Sequence, residues 1–464
     1  MSRQVVLVKT LLRRWRMSGW WLASLLVGTA SAQTNFTTLR TNGPASNRLN
    51  VVLLAEGYRT SDYGKFGTDA TNTWNLWIAA QPFAEYQTYI NAYSLAVPSA
   101  DAGSDHPASG QFRNTYFNSS YDAGDYLITI PTNASGQGKV DALLNAYVPA
   151  ADLAIMLVND ITGGSDGGGR TAISSANPNS LSYIPIHESG HVLAGLGDEY
   201  TAAYPGYPDT EEPNTTRETN RAAIKWTAWI DLSTPVPTPP NYSDSVVGLF
   251  EGAHYHPTGW YRPQVNCTMK SAGAPFCDVC REALVLAIYR QVRPVDAFTP
   301  AATNLSVTTT QALTFTLTVL QPTTHALAIH WWTNGVALAG ATNASLTLPP
   351  ALLGNGTNTI AGRVTDPTPF VRNDPSNLLS QTVTWKVQVS LPELQLTAPR
   401  RLGTGQFTFH VTGVAPSGFA IQASTNLVNW SSVATNTLVN GHADYTNLNA
   451  TNLPLRFFRA VTPP

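Results

Sequence analysis

The sequence predicts a multidomain protein in which a mixed α/β domain precedes all-β modules of the immunoglobulin-like sandwich class. The chain has 464 residues, a length that exceeds one ordinary core and predicts roughly two to four domains. Strand-like and helix-like apolar patterns are mixed up to about residue 293, and helical patterns stop after Pro294. We therefore expect four segments, with the bounds 1–32, 33–295, 296–390 and 391–464.

The first segment, residues 1–32, has the features of a secretory signal peptide. Basic residues between Lys9 and Arg16 precede an uncharged apolar run, which ends in the small residues Ala30-Ser31-Ala32. The run of about 15 residues is shorter than the roughly 20 that a membrane-spanning helix needs. We expect cleavage near Ala32, a secreted or extracytoplasmic protein, and no transmembrane segment in the mature chain.

Charge excludes one class of partner. Charged residues make up 12% of the chain, with 27 basic and 29 acidic side chains. Because the two signs nearly balance, no net field attracts the protein to nucleic acid or to an anionic membrane. We therefore expect no nucleic-acid partner.

The segment 33–295 is predicted to be the α/β domain. Residues 49–55 form an apolar run typical of a buried strand, and apolar residues at helical spacing follow Gly57. A second apolar run, DLAIMLVND at residues 152–160, predicts another buried strand. The glycine-rich stretch GGSDGGGRTAISS that follows is either a flexible lip with an edge strand, along which an extended peptide lies, or a surface loop. Residues 277–292 have the spacing of a closing helix.

The segments 296–390 and 391–464 are predicted to be β-modules. Alternating runs such as LTFTLTVL, SQTVTWKVQVS and FTFHVTG, separated by turn residues, are typical of immunoglobulin-like sandwiches. The modules could act as spacers, pack on the α/β domain, or bind a glycan or surface ligand. Trp331, Trp332 and Trp430 are candidates for a sugar platform, although core packing explains them more simply.

The segment HESGHVLAGLGDEY contains the main candidate site. His187 and His191 are four residues apart, so on a helix both imidazoles lie on one face and can reach one Zn²⁺ ion. With a third ligand, such a site keeps an open position for a water molecule that the metal activates. Glu188, next to the first histidine, is predicted to be the catalytic base that accepts a proton from this water and later passes one to the departing amine.

Spacing narrows the choice of the third metal ligand. On a straight helix, Asp198 would lie about 10 Å beyond His191, much too far for a metal bond. Gly195 and Gly197 can supply a turn, because glycine adopts the left-handed conformation that ends helices. We predict Asp198 as the third ligand, with Glu199 as the competing candidate.

Three cysteines, Cys267, Cys277 and Cys280, lie close together in the sequence. In an oxidising compartment they predict one disulfide and one spare thiol, with Cys267 bonded to one of the other two. A structural zinc site is the alternative, and His254 or His256 would then be the fourth ligand. Otherwise these two histidines are expected to be an exposed pair.

The histidine segment resembles the signature of the IgA-peptidase family of zinc metallopeptidases. Further blocks match the same family in order, among them LLAEGYRTSDYGKF, DLAIMLVND, FEGAHYHPTGWYRPQVNCTMKS and FCDVC, so that the resemblance covers roughly residues 48–293. It implies a metzincin-like domain with Met269 in a Met-turn beneath the zinc. The spacing departs from the commoner metzincin pattern HExxHxxGxxH, because Asp198 stands in place of the last histidine.

Residues shortly before Met269 are candidates for contact with the substrate. The Tyr255 or Tyr261 hydroxyl, or the Arg262 guanidinium, could stabilise the oxyanion that forms during attack on a carbonyl. Packing around the loop is an equally good explanation for these side chains.

Together these observations predict a secreted zinc-dependent endopeptidase that cleaves protein or glycoprotein substrates. The alternative is a surface adhesion or glycan-binding protein that uses a peptidase-like scaffold. The presence of His187, Glu188 and His191 argues against this alternative, because the loss of Glu188 would be the simplest route to such a scaffold.

Overall fold

The computed structural model describes residues 34–308, 311–349, 352–390, 393–415, 418–448, 450 and 455–462. The chain is rich in β-sheet and has few helices. The predicted signal peptide lies outside the described residues, and within them no helix is both long and apolar enough to cross a membrane. The α-helices of this part are α1 (Tyr63–Ala79), α2 (Gln137–Tyr147), α3 (Pro178–Leu181), α4 (Ile184–Ala194) and α5 (Asp278–Gln291).

Strands occur in two groups, before and after α5. The first group is β1 (Asn35–Arg40), β2 (Leu49–Glu56), β3 (Ile90–Ala96), β4 (Ser120–Tyr121), β5 (Ile128–Thr129), β6 (Leu153–Val158), β7 (Ser165–Gly168), β8 (Thr171–Ser175), β9 (Phe250–Ala253) and β10 (His256–Arg262). The second group is β11 (Val295–Thr299), β12 (Asn304–Val307), β13 (Leu313–Val319), β14 (Ala328–Thr333), β15 (Val336–Ala337), β16 (Ser345–Leu348), β17 (Gly356–Thr365), β18 (Ser380–Val389), β19 (Gln395–Arg401), β20 (Phe407–Thr412), β21 (Phe419–Ser424), β22 (Ser431–Asn436), β23 (His442–Asn447) and β24 (Phe457–Val461).

The first half of the chain is organised around a six-stranded sheet with the order β1-β3-β2-β6-β8-β7. Strands β3, β2, β6 and β8 are parallel, whereas β1 and β7 run antiparallel to their neighbours. The glycine-rich stretch therefore forms an edge strand, β7, and continues through a turn into β8. The edge strand of the first interpretation is therefore present, and peptide binding along it stays a prediction.

The central strand β2 is buried along its whole length because both faces of the sheet are covered. Val51 and Leu53 belong to a core shared with α1, α4 and α5, whereas Val52 and Leu54 belong to a second core shared with α2. A strand buried on both faces has a continuous apolar sequence, as β2 and β6 do. Helix α4 packs against β7, β8 and α5, which places it beside the edge of the sheet.

After α5 the described chain contains strands and no further α-helix. One pair of sheets, β11-β13-β16 and β12-β18-β17-β14-β15, encloses a common apolar core. A second pair, β19-β20-β23 and β22-β21-β24, encloses a smaller one. Trp331 is buried in the first of these cores, so it is not a sugar platform. Trp430 lies beneath the Arg459 guanidinium, which is 4.4 Å from its ring centroid.

The first pair of sheets is joined to the α/β half by a buried polar network. The Asp366 carboxylate accepts hydrogen bonds from the hydroxyls of Tyr86 and Tyr289 at 2.8 and 2.5 Å. His325 bridges two carboxylates, with its ring nitrogens 2.6 Å from Asp366 and 2.8 Å from Glu85. Because both carboxylates are buried, the loss of either one would leave buried donors without an acceptor.

We expect Asp366→Ala to lower the free energy of unfolding by about 3 kcal/mol or more, since it removes the shared acceptor of this network. The urea midpoint of the full chain measures the effect. Asp209→Ala is the matched control, because Asp209 is an exposed carboxylate paired only with Arg217 at the surface; its midpoint should barely change. Equal midpoints for the two variants would show that the network does not stabilise the protein.

Candidate metal centre

Helix α4 brings His187, Glu188 and His191 into one cluster. Each offers a ligand atom, and these atoms lie within 4.8 Å of one another. The Nε2 atoms of the two histidines are 3.2 Å apart, because residues four apart lie on the same face of a helix. Neighbouring nitrogens on a tetrahedral zinc ion would be separated by about 3.3 Å, so this pair is already placed to share one ion.

The chain turns back directly after the helix. Gly195 has a φ of +61°, in the left-handed region, and its N–H donates to the His191 carbonyl at 3.0 Å. This glycine ends the helix as the sequence predicted. Gly197 has a different role, because a Cβ at this position would lie 2.5 Å from the Glu212 carboxyl group. Its lack of a side chain lets the returning segment pass close to that residue.

The returning segment brings Asp198 to the imidazoles. Its Oδ1 lies 3.1 Å from His187 Nε2 and 3.5 Å from His191 Nε2. The hydroxyl of Tyr255 donates to the other oxygen, Oδ2, at 2.7 Å. Oδ1 is buried and accepts no well-oriented hydrogen bond from any described residue, so its contacts with the two Nε2 atoms are left open for a shared cation.

Backbone carbonyls orient both imidazole rings. His187 Nδ1 lies 2.8 Å from the Thr268 carbonyl, and His191 Nδ1 lies 2.6 Å from the Leu196 carbonyl. An N–H at each Nδ1 leaves the Nε2 lone pairs directed toward Asp198, which is the usual outer-shell arrangement of metal-binding histidines. Two imidazole nitrogens and one carboxylate oxygen are a donor set that fits zinc.

Without a metal, the three donors interact as charged partners. Burial by itself lowers the pKa of His191, but Asp198 and Glu188 outweigh it and raise the pKa to about 9. Burial would raise the pKa of Asp198, yet the two imidazoles hold it below its usual range. The imidazoles therefore favour the carboxylate form of Asp198, and a cation bound by the three donors would compete with protons for the imidazole nitrogens.

Glu188 lies against the edge strand β7. A Cβ built on Gly167 would be 2.4 Å from Glu188 Oε2 and 3.3 Å from His191 Cδ2. Burial raises the pKa of Glu188, although the neighbouring imidazoles act in the opposite direction. A buried carboxyl group with a raised pKa beside two metal ligands is suited to accept and return a proton.

We expect Gly167→Ala to reduce turnover on the order of 100-fold, because the added methyl group must displace the Glu188 carboxylate from its position. Bound metal should change much less than the rate, since the His191 ring carbon at 3.3 Å needs to move by only a few tenths of an ångström, whereas the Glu188 oxygen at 2.4 Å must leave its place. Initial rates and metal content measure the two quantities. Gly168→Ala is the matched control, because a Cβ there meets nothing within 4 Å. Equal rates for both variants would contradict this placement of Glu188.

The three candidates for oxyanion contact lie in different surroundings. Tyr255 is beside the centre, where its hydroxyl contacts Asp198. Tyr261 is only partly buried and pairs with Thr216 through the backbone. Arg262 is buried, and its guanidinium donates to the carbonyls of residues 251, 252 and 265. Three of its N–H groups are therefore occupied by backbone carbonyls, which favours the packing explanation for Arg262.

Met269, which the family resemblance placed in a Met-turn beneath the zinc, packs against helix α4. It is fully buried, and a Cβ on Gly190 would be 2.9 Å from its sulfur atom. The Met269 carbonyl accepts the N–H of Glu199 at 2.8 Å. The loop that contains Met269 therefore supports both the histidine helix and the segment that returns with Asp198.

The predicted disulfide is not formed. Cys267, Cys277 and Cys280 are buried free thiols, and the Sγ atoms of Cys267 and Cys280 are 3.7 Å apart. Buried apolar surroundings hold the three side chains together without a covalent bond. The expected exposed pair is also wrong for His254, which is fully buried between Glu212 and the Pro208 carbonyl.

Several residues of the site were not predicted from the sequence. The Tyr200 ring stacks against His187 at a centroid distance of 6.0 Å, and its position next to Asp198 and Glu199 was an available signal. The Asn214 side chain holds Gly197 through both the backbone N–H and the carbonyl, at 2.7 and 2.9 Å. No local pattern marks Asn214 or the Thr268 and Leu196 carbonyls, because their roles depend on tertiary contacts.

Comparison with solved structures gives partial matches. One is metalloproteinase-II from Bacteroides fragilis, with 17% identity over 35% of this chain and 45% of that chain, and a TM-score of 0.18. Another is a structure of fibronectin(III)-like modules of CbhA from Clostridium thermocellum, with 9% identity over 33% of this chain and 78% of that chain, and a TM-score of 0.16. The comparison with curated proteins gave no match.

Comparison with protein families gives a specific result. The model of the family described as IgA peptidase M64 matches residues 37–245 and 240–288. These residues include most of β1, the central strands, helix α4 with its histidines, Asp198 and the three cysteines. The match spans more than half of the chain. The chain therefore belongs to the IgA peptidase M64 family of metallopeptidases.

Proposed function

We propose that the protein is a secreted, zinc-dependent endopeptidase that hydrolyses peptide bonds in protein or glycoprotein substrates. The observation that supports this proposal most directly is the convergence of His187 Nε2, His191 Nε2 and Asp198 Oδ1 within 3.1 to 3.5 Å of one another. Family membership supplies the reaction class, and the donor set supports zinc as the metal. The predicted signal peptide is the basis for secretion.

In this proposal the chain's own residues position the metal and move the proton. A zinc ion held by the three donors would supply a Lewis acid that activates a water molecule. Glu188 accepts the proton of the attacking water at its carboxylate and delivers a proton to the departing amine. The Thr268 and Leu196 carbonyls keep the imidazoles oriented, and Tyr255 keeps Asp198 oriented, while the reaction proceeds.

The edge strand β7 offers a place for the substrate. One of its sides pairs with β8. On the other side Ser165 bridges to Leu127, and the rest of that side is the edge of the described sheet. An extended peptide could add to this edge through backbone hydrogen bonds, and Gly167 would bring it next to Glu188. This placement favours an extended stretch of protein as the substrate over a compact folded domain.

The proposal includes the architecture around the site. We assign a metzincin-like arrangement to segment 33–295, because helix α4, the turn at Gly195 and Met269 lie around one centre. Segments 296–390 and 391–464 are assigned as immunoglobulin-like modules, since each forms two sheets around a shared core.

The alternative of an adhesion protein built on an inactive peptidase scaffold is not favoured. Such a scaffold has no need for oriented donors, yet His187, His191 and Asp198 all keep buried supporting contacts. Glu188 is also retained in position beside them.

Removal of the metal tests the proposed function. We expect a chelator followed by dialysis to abolish cleavage of an unfolded protein substrate, and Zn²⁺ to restore it, because the attacking water is activated only when the metal is bound. Elemental analysis verifies that metal has been removed, and cleavage is followed by the appearance of new N-termini. Unchanged cleavage by metal-free protein would contradict the proposal.

A further inference from the structure

Three thiols and one carboxylate share a closed site below the metal centre. Cys267, Cys277, Cys280 and Glu199 are all buried, and their ligand atoms lie within 4.8 Å of one another. The Sγ atoms of Cys267 and Cys280 are 3.7 Å apart, and Cys280 Sγ is 3.8 Å from Glu199 Oε1. Sulfur atoms on one tetrahedral zinc ion are separated by about 3.8 Å, whereas a disulfide requires about 2.05 Å.

The backbone around the cysteines is arranged for thiolates. The N–H of Cys280 donates to Cys277 Sγ at 3.4 Å, and the N–H of Cys277 donates to Cys267 Sγ at 3.3 Å. Cys277 and Cys280 also lie at the positive end of the 14-residue helix α5, and both features favour the charged form of a thiol. A Cys-x-x-Cys pair is the usual ligand spacing of structural zinc sites.

Glu199 supplies the observation that points to a cation. Its side chain is fully buried, and Oε2 has no hydrogen-bond partner among the residues that the structure describes. Oε1 accepts a hydrogen bond from Asn214 at 2.9 Å, which orients the carboxylate as an outer-shell residue does. A buried carboxylate with an unpartnered oxygen is costly unless it is paired with a cation.

The surrounding charges also fit a divalent ion. Three thiolates and one carboxylate exceed the charge of Zn²⁺ by two negative charges, and Arg262 and Lys270 both act electrostatically on Glu199. Lys270 Nζ donates to the Val265 carbonyl at 2.9 Å, and Arg262 is committed to backbone carbonyls. These cations can offset the excess charge, but neither makes the contact that Oε2 lacks.

We propose that Cys267, Cys277, Cys280 and Glu199 bind a second, structural Zn²⁺ ion. All four ligands come from the protein, so the site has no open position for a substrate. Binding requires the loss of the thiol protons and no oxidation. The ion would link Glu199 to Cys267, and each of these ligands has a neighbour that serves the α4 centre. Asp198 is next to Glu199, and Thr268, whose carbonyl orients His187, is next to Cys267.

Metal content and cobalt spectra of the full chain test this proposal. We expect two zinc ions per chain in the wild type and one in Glu199→Gln, which keeps the shape of the side chain. Cobalt added to His191→Ala should show thiolate-to-cobalt charge-transfer absorption, because only the cysteine site remains intact; Cys280→Ser should abolish this band. None of these readouts requires peptidase activity. The second zinc site can therefore be disproved while the peptidase function stands, and the peptidase function can be disproved while the second zinc site stands.

Alkylation of the thiols in the wild-type protein tests the same proposal without a variant, so it remains informative if a variant fails to fold. We expect three free thiols that react with an alkylating reagent only after the metal is removed. A single zinc ion per chain that is lost from His191→Ala would overturn the proposal. An intact mass reduced by the two hydrogens of a disulfide would overturn it as well.

Discussion

Replacing Glu188 with glutamine is expected to reduce peptide hydrolysis by about 100- to 10,000-fold, the range typical of a lost general base. Glutamine keeps the size of the side chain beside Gly167 but cannot accept the proton of the attacking water. Bound zinc should be unchanged, because the three proposed donor atoms, which are His187 Nε2, His191 Nε2 and Asp198 Oδ1, belong to other side chains. Initial rates on an unfolded protein substrate, with elemental analysis of the same samples, measure both effects.

Glu251→Gln is the control for this experiment, because Glu251 is an exposed carboxylate on β9. It should leave both the rate and the metal content near wild-type values. A Glu188→Gln variant that loses its zinc would reassign Glu188 as a ligand. A variant that keeps full activity would remove Glu188 from the mechanism.

The sequence predicted the parts of the site that depend on local geometry. The spacing of His187 and His191 places both on one helical face, and the glycine at 195 ends the helix in the left-handed conformation that the sequence suggested. The return of Asp198 followed from the impossibility of reaching the same ion on a straight helix. Continuous apolar runs identified β2 and β6 because strands covered on both faces have no polar side.

Features that depend on contacts between distant segments could not be predicted in this way. The cysteine spacing permitted either a disulfide or a metal site, and the fourth group, Glu199, is about 70 residues earlier in the chain. Arg262 was a candidate for oxyanion contact because its charge is visible in the sequence, whereas the carbonyls that occupy its donors are not. The Asp366 network likewise joins residues from opposite halves of the chain.

The adjacent residues Asp198 and Glu199 are expected to have separable effects on metal binding. Asp198 faces the two imidazoles, whereas Glu199 faces the thiols. Asp198→Ala removes the proposed third ligand, so we expect zinc affinity at the α4 centre to fall by more than about 100-fold, beyond the 10- to 100-fold typical of outer-shell changes. Glu199→Ala acts on that centre only through the position of Asp198, and its effect there should lie within the outer-shell range.

Cobalt titration distinguishes the two sites within each variant, because only the cysteine site has thiolate-to-cobalt charge-transfer absorption. Asp198→Ala should keep this absorption and lose cobalt binding at the α4 centre, which has no such absorption. Glu199→Ala should weaken cobalt binding at the cysteine site, and therefore this absorption, more than binding at the α4 centre. If Glu199→Ala instead weakens the α4 centre more than Asp198→Ala does, the third ligand is Glu199 and the assignment of Asp198 is wrong. If the charge-transfer absorption survives Glu199→Ala unchanged, the thiols bind metal without this carboxylate. Asp198 and Glu199 would then not be ligands of two different ions.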